Sequence, residues 1–375
     1  MTQTTRKVLK TLLITFVSII LAIVLILGSY ILYLTCQYYR IEDEQQINTQ
    51  NNASAMLTLG SEYKITTYNI GFGAYSHDFT FFMDTGEMKD GTKTAGSGSR
   101  AKSKDTVIRN TEGAIRAVAD YNPDIMLFQE VDTSAHRSHF VNQYEQINAE
   151  FEEYGTNFAS NFHSGYLFYP LSNPHGTVNA GIATLSKYKI DSAARRSFPI
   201  DESFPNKFFD LDRCFTINKL PITGSQKYLI LINLHMSAYD EGGVIRAQQL
   251  KLLFDYVYNE YSQGNYVIAG GDWNHDIAES LTYFATDQKV PSWTAQINAS
   301  EIPQGFSFAA SKNKPTCRST DIPYQKKENG DLVNFSVVLD GYLVSDNVTV
   351  NQVHTIDTDF SFSDHNPVYL NFTLN

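Results

Sequence analysis

Cysteine is scarce in this chain of 375 residues, which carries three, Cys36, Cys214 and Cys317. Three thiols are too few for a disulfide scaffold, so the fold must rest on a buried apolar core. Cys214 and Cys317 either pair or stay as free buried thiols. With so few Cys and His, a closed zinc site is also disfavoured. Positive charge is in the minority, 29 Lys and Arg against 40 Asp and Glu for a net charge of -11. That argues against a protein that grips nucleic acid through bulk positive charge, though a local basic patch escapes the argument. The chain lacks a P-loop, a fitting serine-histidine nucleophile, an internal repeat and a second linker.

One long apolar run is present. Residues 11–35, "TLLITFVSIILAIVLILGSYILYLT", carry no charge and are long enough to cross roughly 30 Å of hydrocarbon as a helix. No small-residue cleavage site follows, and Cys36 sits in a poor lipoprotein box, so the run is expected to remain as an anchor. Arg6, Lys7 and Lys10 precede it while its other flank is mixed to acidic. The positive-inside rule then keeps residues 1–10 in the cytoplasm and places the remainder outside it, as a single-pass protein of the cell membrane. Residues 36–61 are polar without sustained period and read as a stalk. Residues 62–375 are expected to form one catalytic domain.

Within that domain, short β-rich apolar runs repeatedly end in polar clusters. "YKITTYNIG" ends near Asn69 and "DIMLFQEVD" carries Glu130. "KYLILINLHMSAYD" delivers His235 and Ser237, and "YVIAGGDWN" delivers Asp272 and Asn274. "SVVLDGYLVS" holds Asp340, and "FSFSDHNPVYLNF" places Asp364 and His365 before an alternating strand that Pro367 opens. Two stretches, "DTVIRNTEGAIRAVADYN" and "IRAQQLKLLFDYVYNEY", have apolar residues at three- and four-residue spacing and predict helices. Strands alternating with helices indicate an α/β domain, whose functional groups gather at strand ends. A carboxylate in an apolar run is costly unless paired, protonated or metal-bound, and one such residue alone would carry little weight. Six clusters with one theme suggest a site of carboxylates, amides and imidazoles, a donor set that suits Mg²⁺, Mn²⁺ or Ca²⁺.

In series, "YNIG", "QEVD", "NLH", "GDWN", "LDGYLVS" and "SDHNPV" resemble the endonuclease/exonuclease/phosphatase superfamily, the deoxyribonuclease I-like fold. "AGIATLSKYKI", residues 180–190, is similar to a further strand of that family. The resemblance spans about residues 62–375 and implies a four-layer α/β/β/α sandwich of two mixed sheets. It also implies a phosphoester hydrolase with Glu130, Asn69 and Asp364 around a divalent ion, Mg²⁺ first. Asp272 and Asn274 would orient water and phosphate, His235 would contact the scissile group, and His365, held by Asp340, would donate to the phosphate. Asp340 beside His365 would raise its pKa. Arg213 either sits near the site or makes a surface ion pair. Asn179 either touches substrate or serves a turn.

Two segments depart from a compact member of that family. Residues 71–105 form a long Gly/Ser/Lys-rich connection containing Arg100, Lys102 and Lys104, and residues 311–335 precede Asp340. The first is either a solvated loop or a flap that meets an anionic substrate or headgroup. The substrate class stays open among lipid headgroups, such as sphingomyelin or phosphoinositide, and extracellular DNA. A non-catalytic binding module, the remaining alternative, would be expected to lack a metal carboxylate or the "SDH" histidine, and both are present. A monomer is expected.

Overall fold

The structure is a computed structural model that describes residues 2–238 and 243–375. Its long N-terminal helix α1, Gln3–Gln37, is apolar enough to cross a membrane, which makes it a candidate span that begins earlier and ends later than the uncharged run. Helix α2, Lys104–Ala119, starts where the Ser103 side chain accepts from the Thr106 amide, with Asp105 in its first turn. Both features offset the unpaired N–H groups of a helix start. Helix α3 is Gln143–Glu150 and helix α4 is Val244–Ser262.

Two mixed sheets stack face to face. The six-stranded sheet has the order Val348–Thr355, Val368–Leu374, Glu62–Asn69, Ile125–Asp132, Gly176–Ser186 and Gly155–Leu167. The seven-stranded sheet runs Gln45–Ile47, Ser192–Ser197, Cys214–Pro221, Tyr228–His235, Tyr266–Asp272, Asp340–Ser345 and Phe306–Ala309. Side chains alternate across a strand, so each central strand feeds two apolar layers. Ile65, Leu127 and Leu370 from one sheet meet Leu229, Leu231 and Ile268 from the other. On the outer face of the first sheet, Met126 and Phe128 pack on Ala114, Ile115 and Val118 of α2 and Ile147 of α3. On the outer face of the second, Ile230 and Val267 pack on Leu250, Leu253 and Val257 of α4. The layers are helix, sheet, sheet and helix, as the family resemblance implied. Each such aliphatic side chain stabilises the stack by about 1.5–3 kcal/mol on burial.

The space between the sheets is not uniformly apolar. Gln129 donates to Asn233 at 2.7 Å, Asn233 donates to the Ala183 carbonyl at 2.9 Å, and Asn157 donates to Asn218 at 2.8 Å. These buried amides find partners across the sheets, although the Asn157 Oδ1 has none among the described residues.

The segment 36–61, expected to be a stalk, lies against the domain instead. Gln45–Ile47 pairs antiparallel with Ser192–Ser197, and Leu57 is fully buried beside Ile222. Arg40 donates to Asp212 at 2.8 Å, and the Asp43 carboxylate accepts from the Ser197 amide at 2.7 Å. Sequence polarity misled here because an edge strand needs only backbone partners and one buried anchor. Cys214 and Cys317 are buried free thiols, while Cys36 is exposed.

Candidate active site

Each sheet carries one parallel pair at its centre, Glu62–Asn69 with Ile125–Asp132 and Tyr228–His235 with Tyr266–Asp272. Parallel pairing sends the carboxyl ends of both strands to the same side. Register places His235 opposite Asp272, and Asp272 opposite Asp340 of the neighbouring antiparallel strand. The two glycines ahead of Asp272 belong to the strand rather than to a turn. A Cβ on Gly270 would meet the Tyr342 ring at 2.5 Å, and one on Gly271, whose φ is +145°, would meet the Leu234 carbonyl at 2.1 Å. Only glycine admits that approach. The turn follows, with Asn274 at a φ of 48°.

The strand ends meet in one hydrogen-bonded cluster. Asn69 donates to Asp272 at 2.9 Å and to Glu130 at 3.3 Å. The Asn274 amide donates to the other Asp272 oxygen at 2.9 Å, and its side chain donates to the Met236 carbonyl at 2.8 Å. His365 Nδ1 lies 2.8 Å from Asp340, and its Nε2 lies 3.7 Å from Asp272. His235 Nε2 stands 3.5 Å from Asp272 and 3.9 Å from Glu130. Glu130 has a φ of 55° and sits where the ladder to Gly176–Ser186 slips between Phe128 and Val131. This bulge re-aims a residue that a regular strand would have turned into the helix layer. Ser363 supports the last motif, donating to the Asn69 carbonyl at 2.8 Å and accepting from the His365 amide at 3.2 Å.

Electrostatics separates the two histidines. Burial, then the charges of Arg213, His365 and Arg137, hold His235 well below the usual imidazole range, so it is neutral at pH 7. Burial also works against a charged His365, but Asp340, Cys317 and Asp272 outweigh it and raise its pKa well above 6.5. Asp272 is pushed up to about 6 by burial, helped by Asp340 and opposed by His365. Asp364, only partly covered, is raised to about 7 by desolvation, with Glu130 adding to the rise and His365 opposing it.

Glu130, His235, Asp272, Asn274, Asp364 and His365 open into one cavity of about 940 Å³. Arg213 lines it as well, buried, and its Nε and Nη1 have no hydrogen-bond partner among the described residues. Its surface ion-pair alternative is thereby removed. Asn179 is absent from the lining, and its side chain instead bonds His163 at 2.9 Å and the Ser134 carbonyl at 3.3 Å. The 71–105 connection does reach the cavity, but through Phe72, Tyr75, Phe81, Phe82, Met83 and Asp84. Arg100 and Lys102 line a separate shallow depression, where Arg100 donates to the His136 carbonyl and Lys102 pairs with Asp78.

Three residues of the site left no signal in the sequence. Arg137, buried, pairs with Asp132 at 2.7 Å and lies 4.0 Å over the Phe72 ring. Arg318 is fully buried, with its backbone amide on the Asp364 carbonyl at 3.0 Å. Thr316 Oγ1 accepts from the Leu339 and Asp340 amides at 2.8 and 3.0 Å, fixing the strand end that carries Asp340. Arg137 and Thr316 lie in irregular connections and Arg318 in the two-residue strand Cys317–Arg318, all too short of pattern for periodicity to expose them.

A profile of the endonuclease/exonuclease/phosphatase family matches residues 66–365. No curated protein matches the chain. Among solved structures, an endonuclease/exonuclease/phosphatase from Beutenbergia cavernae DSM 12333 is 14% identical over 84% of this chain and 72% of that one, with a TM-score of 0.51. One from Bacteroides vulgatus is 16% identical over 84% of this chain and 100% of that one, with a TM-score of 0.50. Identities this low support the fold alone, whereas the profile match runs from the first core strand to His365. With motif order, two-sheet sandwich and converged strand ends in agreement, this chain belongs to the endonuclease/exonuclease/phosphatase family, whose members hydrolyse phosphoester bonds.

Proposed function

We propose that the chain is a divalent-metal-dependent phosphodiesterase held to the cell membrane by α1, with its cleft outside the cytoplasm. The observation that carries this reading is the convergence of buried Asp272, Asp340 and His365, whose side-chain oxygen and nitrogen atoms lie within 4.8 Å of one another, on a cavity that Glu130 and Asp364 also line. Glu130 and Asp364 fit a hard cation by donor type, as carboxylates opening into a cavity that also holds Asp272, while Asn69, whose Oδ1 accepts from the Gly71 amide and whose Nδ2 donates to Glu130, would steady that carboxylate beside the ion. Mg²⁺ is the first choice and Mn²⁺ or Ca²⁺ the alternatives. Bound there, the ion would offset the phosphate charge.

The residues divide the remaining work. Asp272, with its pKa near 6, is largely ionised at pH 7 and takes the proton from the attacking water. The water oxygen bonds phosphorus in line, and the leaving oxygen departs with its electron pair and then gains a proton. His365, cationic and fixed in tautomer by Asp340, donates to a non-bridging phosphoryl oxygen. Neutral His235 hydrogen-bonds from the opposite side, and Arg213 supplies an unspent guanidinium at the cavity wall. The substrate class favoured is a lipid phosphoester. Extracellular nucleic acid is the second reading, which the open cavity of about 940 Å³ admits but the net charge of -11 does not favour. The full chain, as a reconstituted monomer, should hydrolyse bis(p-nitrophenyl) phosphate with Mg²⁺ or Mn²⁺ and stop on chelation. Undiminished turnover after exhaustive chelation would sink the proposal, and a comparison of sphingomyelin, phosphoinositide and DNA would rank the substrates.

A further inference from the structure

The end of α1 does not leave the domain behind. Tyr30 donates to the Tyr166 carbonyl at 3.1 Å and accepts from the Phe168 amide at 3.2 Å. Tyr33 accepts from the Tyr166 amide at 3.0 Å, and Leu34 is buried against Leu167 and Phe208. The Tyr38 ring meets Phe208 edge-on at 5.7 Å. At 1.5 Å per residue, about 20 residues from Thr11 onward fill the hydrocarbon layer and bring Tyr30 and Tyr33 to the interface, the depth that tyrosine favours. Tyr166 and Phe168 are hydrogen-bonded to that part of the helix and Phe208 packs on it, so the segments 166–171 and 204–209 lie near its depth.

Those two segments carry apolar side chains that the fold leaves uncovered. Leu171 is 84% exposed, Phe204 61% and Tyr169 62%, and Phe168 and Phe209 are exposed as well. Isolated apolar residues on a surface need no explanation, but a group continuous with a membrane-spanning helix does. The same segments form the rim of the catalytic cavity, which Leu167, Tyr169 and Phe209 line. Tyr169 also stands 5.6 Å from Phe82, which carries the apolar lining inward. Because residues 40–47 are bonded to the domain, no free tether separates this rim from the bilayer.

We propose that this rim docks into the leaflet that α1 enters, so that the cavity mouth faces the bilayer and receives a phosphoester with an apolar chain. Leu171 and Phe204 enter the interface, while Phe82, Met83, Tyr169 and Phe209 form the wall along which the chain lies. This inference rests on the anchor and phosphoesterase readings above, and its test separates the three. The full chain carrying Leu171→Trp is reconstituted in vesicles of phosphatidylcholine and phosphatidylglycerol with brominated acyl chains. The emission added over that of the unmodified chain, which carries Trp273 and Trp293, should lie to the blue and fall roughly twofold or more, as for a side chain at the acyl boundary. Emission unmoved from that of a water-exposed indole overturns the proposal, and a blue shift without quenching by brominated lipid assigns the patch to a protein contact and overturns it too. In the second arm, with sphingomyelin added to vesicles of non-brominated phosphatidylcholine and phosphatidylglycerol, L171D/F204D should lose about 10-fold or more on that lipid while retaining turnover of soluble bis(p-nitrophenyl) phosphate. Equal losses on both substrates would make the patch structural and defeat the inference. If the unmodified chain turns over neither, the phosphoesterase reading fails, and quenching alone judges the docking.

Discussion

The floor of the cleft and its rim are built from opposite materials. On the floor, Asp272, Asp340 and His365 are buried polar groups on strand ends, each with partners inside 3 Å. Around the rim, Phe82, Met83, Tyr169 and Phe209 are carried by irregular connections and present carbon to the cavity. A strand end fixes a side chain to within the tolerance that bond-making chemistry needs, whereas a connection tolerates change without disturbing the sheets. On the proposed function, the chemistry belongs to the scaffold and the choice of substrate to the rim, since a fold by itself does not fix the substrate.

The comparison breaks first at His365. His365→Ala should lower turnover by about 10²–10³-fold on every substrate, soluble or membrane-borne, if it is the transition-state donor proposed above. A loss confined to one substrate would move this residue from chemistry to recognition. Next in size is a stability effect of the aromatic side. His175, buried beside Phe82, is held down to about 3 by desolvation and by Arg137, although its Nδ1 bonds the Ser99 carbonyl. Its folded pKa lies below the ordinary 6.5, so its contribution is whole above pH 6.5 and is lost as pH falls from there toward about 3. His175→Gln should recover about 3 kcal/mol of the stability lost between pH 7 and pH 4, read by denaturant unfolding at each pH.

Smaller effects sharpen the division. Phe82→Ala should raise KM about 5- to 10-fold on a substrate with an apolar chain and leave kcat on a small diester within about twofold, as expected for loss of one aromatic contact. A fall in kcat on the small diester would show that the rim orders the floor. Neutralising Arg100, Lys102 and Lys104 together should change activity by less than about twofold, because exposed charges and pairs such as Lys102 with Asp78 are worth little. A large, salt-sensitive loss would restore the basic segment to substrate contact.

Much of the floor was legible because its grammar is local. A β-rich run followed by "GDWN" or "SDH" announces a strand and its end within ten residues, and α2 and α4 show their buried faces as three- and four-residue spacing. The rim was not legible, since the 71–105 connection has no period, and its basic residues drew attention away from Phe72, Phe81 and Phe82. Asn179 illustrates a limit of the same kind. Its neighbourhood reads as a turn or a contact equally well, and the hydrogen bonds to His163 and Ser134 exist only after Gly155–Leu167 and Gly176–Ser186 pair.

By itself the sequence determined the apolar N-terminal helix, the alternation of strands and helices, and the residue types at each strand end, because all of these follow from propensity and spacing along a few turns of chain. Tertiary structure alone decided that Asp272 faces Asp340 and His235, that Arg137 and Arg318 are buried at the cavity, and that residues 36–61 lie on the sheet rather than hang from it. Those outcomes depend on pairing between segments far apart in the chain. The free energy of such pairing is set by the partner strand and the burial it creates, neither of which is written in the local pattern.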